Sequence, residues 1–275
     1  MTTTATPPAR TSHPRSWRGA GFGTQVLVLT GRSLRALVKD PRVLIFSLLQ
    51  PLIMLALFSQ VFGKAMMGSV ATDSGSYINY LMPAILVTTG IGAALQSGVG
   101  LITDLKNGVL RRLRTMPIRP SSILLARSLS DLVRTAVQLA FLLLVGAVLF
   151  GFSPAGGITG ALGALLLSVF VSWALSWVFL AIAVWVRKEE VMQSIGFLAM
   201  FPLMFASSAF VPIDSLPAWL GAVATVNPLT YAVDASRNLS LALPLGTGVL
   251  SAVITSGALC ALAIALAVKG FRRPL

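Results

Sequence analysis

The sequence predicts an all-α integral membrane protein of six transmembrane helices, with an interfacial helix before the first and a broken, apolar helical hairpin before the last. Three observations carry this. Of 275 residues, 56% are hydrophobic and 11% charged, against roughly 25% charged in an average soluble domain, so a water-soluble fold has too little interior to hide the apolar side chains. Six stretches reach the about 20 mostly apolar residues that a helix needs to cross a hydrocarbon core of roughly 30 Å. The basic residues also sort to one side of those stretches, as they do when cations are held back on the cytoplasmic face.

Residues 1–22 contain Arg10, His13, Arg15 and Arg18 but no apolar core and no small-residue cleavage site. They read as a disordered cytoplasmic tail, with a membrane domain over 23–275. Thr24 to Lys39 then places Arg32, Arg35 and Lys39 on one helical face and Val26, Leu27, Leu34, Leu37 and Val38 on the other, the pattern of a helix lying along a leaflet. The same residues can instead extend the first span. Asp40-Pro41 ends the helix in either case.

The spans are expected near 43–62, 78–103, 123–150, 158–186, 191–210 and 248–268. Eighteen of the 21 Lys and Arg precede span one, lie between spans two and three, follow span four or follow span six. Both termini are therefore expected in the cytoplasm. The net charge of +13 reads as anchoring to anionic headgroups, and nucleic-acid binding is set aside because the charges flank spans. With one cysteine, Cys260, and one histidine, His13, neither an internal disulfide nor a His/Cys metal site can be built.

Between spans two and three, Val109, Leu110, Leu113 and Met116 share a helical face, Arg111, Arg112 and Arg114 fill the remainder, and Pro117 closes the segment. Such a basic amphipathic helix can rest on lipid or dock into a groove on a soluble partner; its charge pattern alone favours lipid. Span three carries Arg127, Asp131 and Arg134 on one face, where Asp131 can bridge both arginines. The reading is structural anchoring, with an ion relay as the alternative. Gly156 and Gly160 open span four at a spacing that permits close helix approach. In span five Phe197, Phe201 and Phe205 recur at helical spacing beside Met200 and Met204; they either pack or face lipid, or they form an adaptable wall for an apolar ligand.

Phe210 to Asn238 is too apolar for a surface loop, yet Pro212, Pro217 and Pro228 break it. Ser215 can cap a helix starting at Pro217, and Asn227 a second starting at Pro228. Each piece is roughly ten residues, about 15 Å, and cannot cross a bilayer. The pair is expected to dip into the outer leaflet against protein, with Trp219 and Tyr231 at the interface and Asp234 paired to Arg237.

Three motifs, "RSLRALVKDPRVLIFSLLQPLIMLALF", "NGVLRRLRTMPIRPSSILLARSLSD" and "SSAFVPIDSLPAWLGAVATVNPLTYAVDASRN", resemble the ABC-2 type permeases of the daunorubicin-resistance-like branch. The resemblance implies an ABC-2, type V exporter-like fold and a coupling helix over Gly108, Leu110, Arg111, Arg112, Leu113, Arg114, Met116 and Pro117 that docks on an ATP-binding subunit. Related permeases often have Asp where Arg111 stands, a departure that bears on the charge match with the ATPase. The resemblance also implies a substrate pathway near Gln96, Phe197, Met200, Phe201, Met204 and Phe205. Pro212, Pro217, Trp219, Asn227, Pro228, Asp234 and Arg237 are expected to form an external re-entrant gate.

No GxxxxGK[ST] phosphate loop is present, so ATP and Mg belong to a partner chain and this chain is expected to bind no cofactor. The implied assembly is two permeases, identical or paralogous, with two ATPases in a bacterial plasma membrane, exporting a drug-like or antibiotic-like hydrophobic molecule or a lipid. A secondary transporter or a flippase without a dedicated ATPase is the alternative, and internal repeats or midplane carboxylates would favour it.

Overall fold

Backbone N–H and C=O groups surrounded by lipid must be paired within their own segment, and the apolar stretches of the sequence are accordingly helical. The computed structural model describes residues 21–39, 42–66, 76–108, 120–210, 213, 216–244 and 248–271. Among these there are nine helices and no strand: α1 (Phe22–Lys39), α2 (Arg42–Met66), α3 (Tyr77–Lys106), α4 (Pro120–Leu149), α5 (Gly157–Val186), α6 (Glu189–Phe205), α7 (Ala218–Val226), α8 (Pro228–Leu241) and α9 (Gly248–Phe271).

Four of them, α3, α4, α5 and α9, are long and apolar enough to cross a bilayer by themselves. Helix α2 carries a shorter apolar stretch, Ile45–Val61, and α6 has 17 residues. Helix α5 is apolar on every side, the mark of a helix surrounded by protein or lipid, and it packs on α3, α4, α8 and α9. Gly90 of α3 faces Ser172 of α5 so closely that a Cβ would collide with the serine side chain. The close α3–α5 contact therefore depends on small residues, as helix pairs in lipid generally do.

The interior divides along the bundle into two apolar clusters. One gathers Tyr77, Leu81, Met82, Phe210, Leu229 and Val233, the other Leu101, Trp177, Met192, Cys260 and Ala267. They mark a hairpin end, where α7 and α8 sit, and a basic end. Arg187 closes α5 at the basic end in the left-handed region, φ 55°, its N–H bonded to the Ala183 carbonyl.

Helix α1 lies against the start of α4, with Thr30 Oγ1 donating to the Ala126 carbonyl. Its apolar face is divided. Val26 is buried, but Leu27 is 73% exposed, because α1 touches the bundle along one edge and Leu27 turns outward. Leu37 and Val38 lie among side chains outside the described ones.

Two element ends also depart from the sequence reading. Helix α6 stops at Phe205 rather than near residue 210, since the carbonyls of Leu203 and Ala206 turn to the Asn227 side chain. Helix α7 starts at Ala218 with Pro217 as its N-cap and no side-chain cap, so Pro217 stands one place before the position expected for it. Ser215 lies outside the described residues.

Candidate functional site

On α6, Phe197, Phe201 and Phe205 recur every fourth residue and so share one face. Their rings form a run: Phe197 and Phe201 stack at 5.6 Å, Phe201 and Phe205 tilt at 4.6 Å, Phe205 meets Phe210 at 5.9 Å, and Phe210 stacks on Phe58 of α2 at 4.6 Å. Aromatic pairs at these separations are favourable in themselves. Phe197 and Phe201 are nonetheless more than half exposed, so the run presents a ridge of ring faces. Met200 and Met204 lie half-buried behind it against the hairpin-end core. Gln96 is exposed on α3, and its neighbour Leu95 packs on Gly196 of α6, next to Phe197. The rings of Phe197, Phe201 and Phe205 thus run on through Phe210 to Phe58, with Met200 and Met204 behind them, while Gln96 lies on α3 one residue from the Leu95 contact.

The ridge ends at a buried turn, Ala206 to Phe210, which two residues of the hairpin hold. Asn227, placed before Pro228, accepts from the Leu229 N–H at 2.9 Å as the N-cap of α8. Its Nδ2 donates to the Leu203 and Ala206 carbonyls at 2.7 and 2.6 Å. Arg237 is 7% exposed. Its Nη1 donates to Asp234 Oδ1 at 2.9 Å, Nη2 to the Ser208 carbonyl at 2.9 Å and Nε to the Tyr80 carbonyl at 3.3 Å, and the guanidinium lies 3.6 Å from the Tyr80 ring centre. Ser208 Oγ donates to the same Asp234 oxygen at 2.6 Å. Two tyrosines of α3 close the cluster: Tyr80 Oη donates to the Ser208 carbonyl and Tyr77 Oη to the Phe210 carbonyl.

Helix α8 is therefore an interior element, packed on α3, α5 and α9. Gly156 and Gly160 let it approach: the Gly156 N–H donates to the Ser240 carbonyl at 2.9 Å, and a Cβ on Gly156 would come within 2.7 Å of that oxygen. Helix α7 is different in kind, with Trp219 71% and Val223 50% exposed. Tyr231 at the foot of α8 is exposed too and donates to the Thr225 carbonyl. Pro212 lies outside the described residues.

At the basic end an ionic chain crosses helices. Arg127 of α4 pairs with Asp104 of α3 and, at 3.1 Å, with Asp131 on its own helix. Asp131 faces Arg134 at 3.9 Å. Lys106 and Thr103 of α3 meet Glu189 of α6 at 3.4 and 3.1 Å. Gly108 takes φ +69°, a left-handed turn that suits glycine. Leu110, Arg111, Arg112, Leu113, Arg114, Met116 and Pro117 follow it, outside the described residues. Both stems of that segment, α3 and α4, are joined through Asp104 and Arg127.

Sequence reasoning paired Arg127, Asp131 and Arg134 but missed Asp104 and Glu189. Acidic residues ending or beginning a predicted span were the available signal. The Tyr80 and Ser208 partners of Arg237 had none, since a backbone carbonyl has no sequence signature.

The family model for ABC-2 type transporters matches residues 24–241. The daunorubicin resistance ABC transporter permease protein DrrB1 of Streptomyces coeruleorubidus is 32% identical over 208 residues, which are 76% of this chain and 72% of that protein. The putative transport permease ycf38 of Cyanophora paradoxa is 31% identical over 220 residues, 79% and 74% of the two chains. The probable doxorubicin resistance ABC transporter permease protein DrrC of Mycobacterium tuberculosis is 25% identical over 253 residues, 92% and 90%.

Proposed function

From the premise that the chain belongs to the ABC-2 type transporter family and is a transmembrane ABC transporter subunit, we propose that it is the permease of an ATP-driven exporter for a hydrophobic small molecule or a lipid. The observation that carries the cargo class is the ridge Phe197–Phe201–Phe205, which remains exposed although its rings stack on one another. Aromatic faces flanked by methionines suit an apolar or amphipathic ligand, because they supply contact area and adapt in shape without demanding fixed hydrogen bonds. The relatives named for daunorubicin and doxorubicin resistance support a drug-like cargo over a polar one.

In this reading the chain spans the bacterial plasma membrane six times, α2 and α6 included, with both termini in the cytoplasm. Two copies, or one copy and a paralogue, work with two ATP-binding subunits that carry ATP and Mg. Residues 108–117 dock on the ATPase, and α3, α4 and, through Glu189, α6 receive its motion. The hairpin, with Asn227, Asp234 and Arg237, closes the external end.

The test is ATP-dependent uptake of hydrophobic dyes into inverted vesicles holding the permease with its ATPase. Leu113→Asp should abolish copurification of the ATPase and uptake while leaving insertion intact. Phe201→Ala should keep copurification but change the order of preference among dyes. Normal uptake and copurification with Leu113→Asp would refute the coupling assignment. An unchanged preference order with Phe201→Ala would return the ridge to lipid.

A further inference from the structure

Arg134 stands near the middle of α4, beside a stripe that faces outward: Val133 is 40%, Val137 50%, Phe141 47% and Leu144 59% exposed. Among the described residues it is the one cation with a buried nitrogen that lacks a hydrogen-bond partner. Its Nε is buried without a hydrogen-bond partner. Its nearest carboxylate oxygen, Asp131 Oδ1, lies 3.9 Å from Nη2, beyond hydrogen-bond reach. The other oxygen of Asp131 is bonded to Arg127, which also holds Asp104, so this carboxylate is shared between two guanidinium groups. The charge of Arg32 on α1 acts on Asp104 as well, so three guanidinium groups share two carboxylates.

A charged side chain facing hydrocarbon draws polar groups to itself, either by reaching toward the interface or by thinning the leaflet around it. The geometry around Arg134 favours an incoming anion. Its side chain is 20% exposed, which gives access from the lipid side. One turn further along α4, the Gln138 side chain reaches across to α2, Nε2 donating to the Ser47 carbonyl at 3.3 Å, and that bond ties α2 to α4 on the hairpin side of Arg134. On the other side of Arg134, toward the basic end, α1 lies along α4 and its Arg32 and Arg35 are exposed.

We propose that Arg134 is the anchor of a phospholipid site: the phosphate of a lipid in the leaflet at the basic end enters between α2 and α4 and takes the guanidinium bonds that Asp131 leaves unmade. A phosphate oxygen accepts in the same forked manner as a carboxylate. The source is a membrane lipid and not free phosphate, because Arg134 stands in an apolar span beside the outward-facing side chains of Val133 and Val137. The site does not depend on the direction of transport or on the ATPase.

The experiment uses the full chain purified in dodecyl maltoside and native mass spectrometry of retained lipid. Phosphatidylglycerol is added against monogalactosyl diacylglycerol, which has similar tails and no phosphate, and separately against millimolar inorganic phosphate. Wild type is expected to retain one more phosphatidylglycerol than Arg134→Met, and at least tenfold more phosphatidylglycerol than galactolipid. Arg134→Lys should recover part of the retention. Equal retention by Arg134→Met and wild type would overturn the proposal, as would equal retention of the galactolipid. Displacement of the lipid by inorganic phosphate would mean a soluble anion site and overturn the lipid assignment. The galactolipid comparison needs no variant, so the proposal stays open to refutation even if Arg134→Met fails to fold.

Discussion

Arg237 and Arg134 are both guanidinium groups among apolar helices, and the molecule solvates them in opposite ways. Around Arg237 the donors go to two backbone carbonyls and a carboxylate, with an aromatic face beneath, contributed by α3, α8 and the turn after α6. Around Arg134 the one ion-pair partner among the described residues is a carboxylate on the same helix, 3.9 Å away and shared with Arg127. The difference lies in backbone geometry. Arg237 meets the Tyr80 carbonyl in the first turn of α3 and the Ser208 carbonyl in the broken turn Ala206 to Phe210, whereas Arg134 sits in the middle of a regular helix with no such turn beside it. The proline-rich hairpin thus makes the local acceptors that let a cation be buried, and the regular helices at the basic end leave theirs to be completed from outside.

The largest effect that probes this contrast is Arg237→Met. It strips the Tyr80 and Ser208 carbonyls of their guanidinium donor and leaves Asp234 unpaired. Breaking a buried pair on one side typically destabilises by about 3–5 kcal/mol; the 41% exposure of the Asp234 side chain places the expected loss toward the lower end of that range. Thermal melting of the detergent-purified protein should fall sharply for Arg237→Met and little for Arg134→Met. If the two variants melt alike, the contrast is wrong.

A smaller effect is expected at Asn227. Asn227→Ala removes the cap, worth about 1 kcal/mol, and the donor to the buried Ala206 carbonyl, a further net loss of about 1 kcal/mol; Leu203 is partly exposed, so its carbonyl bond adds little. Asn227→Ser keeps a cap acceptor and loses the donors. Its melting temperature should lie between wild type and Asn227→Ala, and a value equal to Asn227→Ala would show that the cap contributes nothing.

The smallest expected effect is Asp104→Asn at the basic end. The Asp104 side chain is 37% exposed, and an ion pair so placed is worth at most about 1 kcal/mol. Asn can still accept from Arg127. A melting change as large as that of Asn227→Ala would show that the basic end is bound as firmly as the hairpin end.

Much of this was legible in local patterns. The Phe197, Phe201 and Phe205 spacing, the Asn227-Pro228 cap and the Asp234 to Arg237 interval each involve residues within one helix or at its edge, so period and propensity place them correctly. The end of α6 was not legible. Phe205 gives way to a turn because Asn227, more than twenty residues on, takes two of its last carbonyls. How Val26 and Leu27 divide between protein and surroundings was not legible either: a helical wheel shows which residues share a face, while the neighbouring helix decides how much of that face is covered.

Sequence alone determined the membrane class and the helical stretches, because an apolar run in lipid has no alternative to internal hydrogen bonding. It also determined which short pieces are helical between prolines, since those choices are set within a few residues. Only the tertiary structure decided that α8 is an interior element while α7 stays exposed, that the phenylalanine run continues through Phe210 to Phe58, and that Arg237 is enclosed where Arg134 is left short. Each of those outcomes depends on contacts between helices. A guanidinium is solvated by atoms from whatever backbone packs beside it, and that neighbour is chosen by the fold.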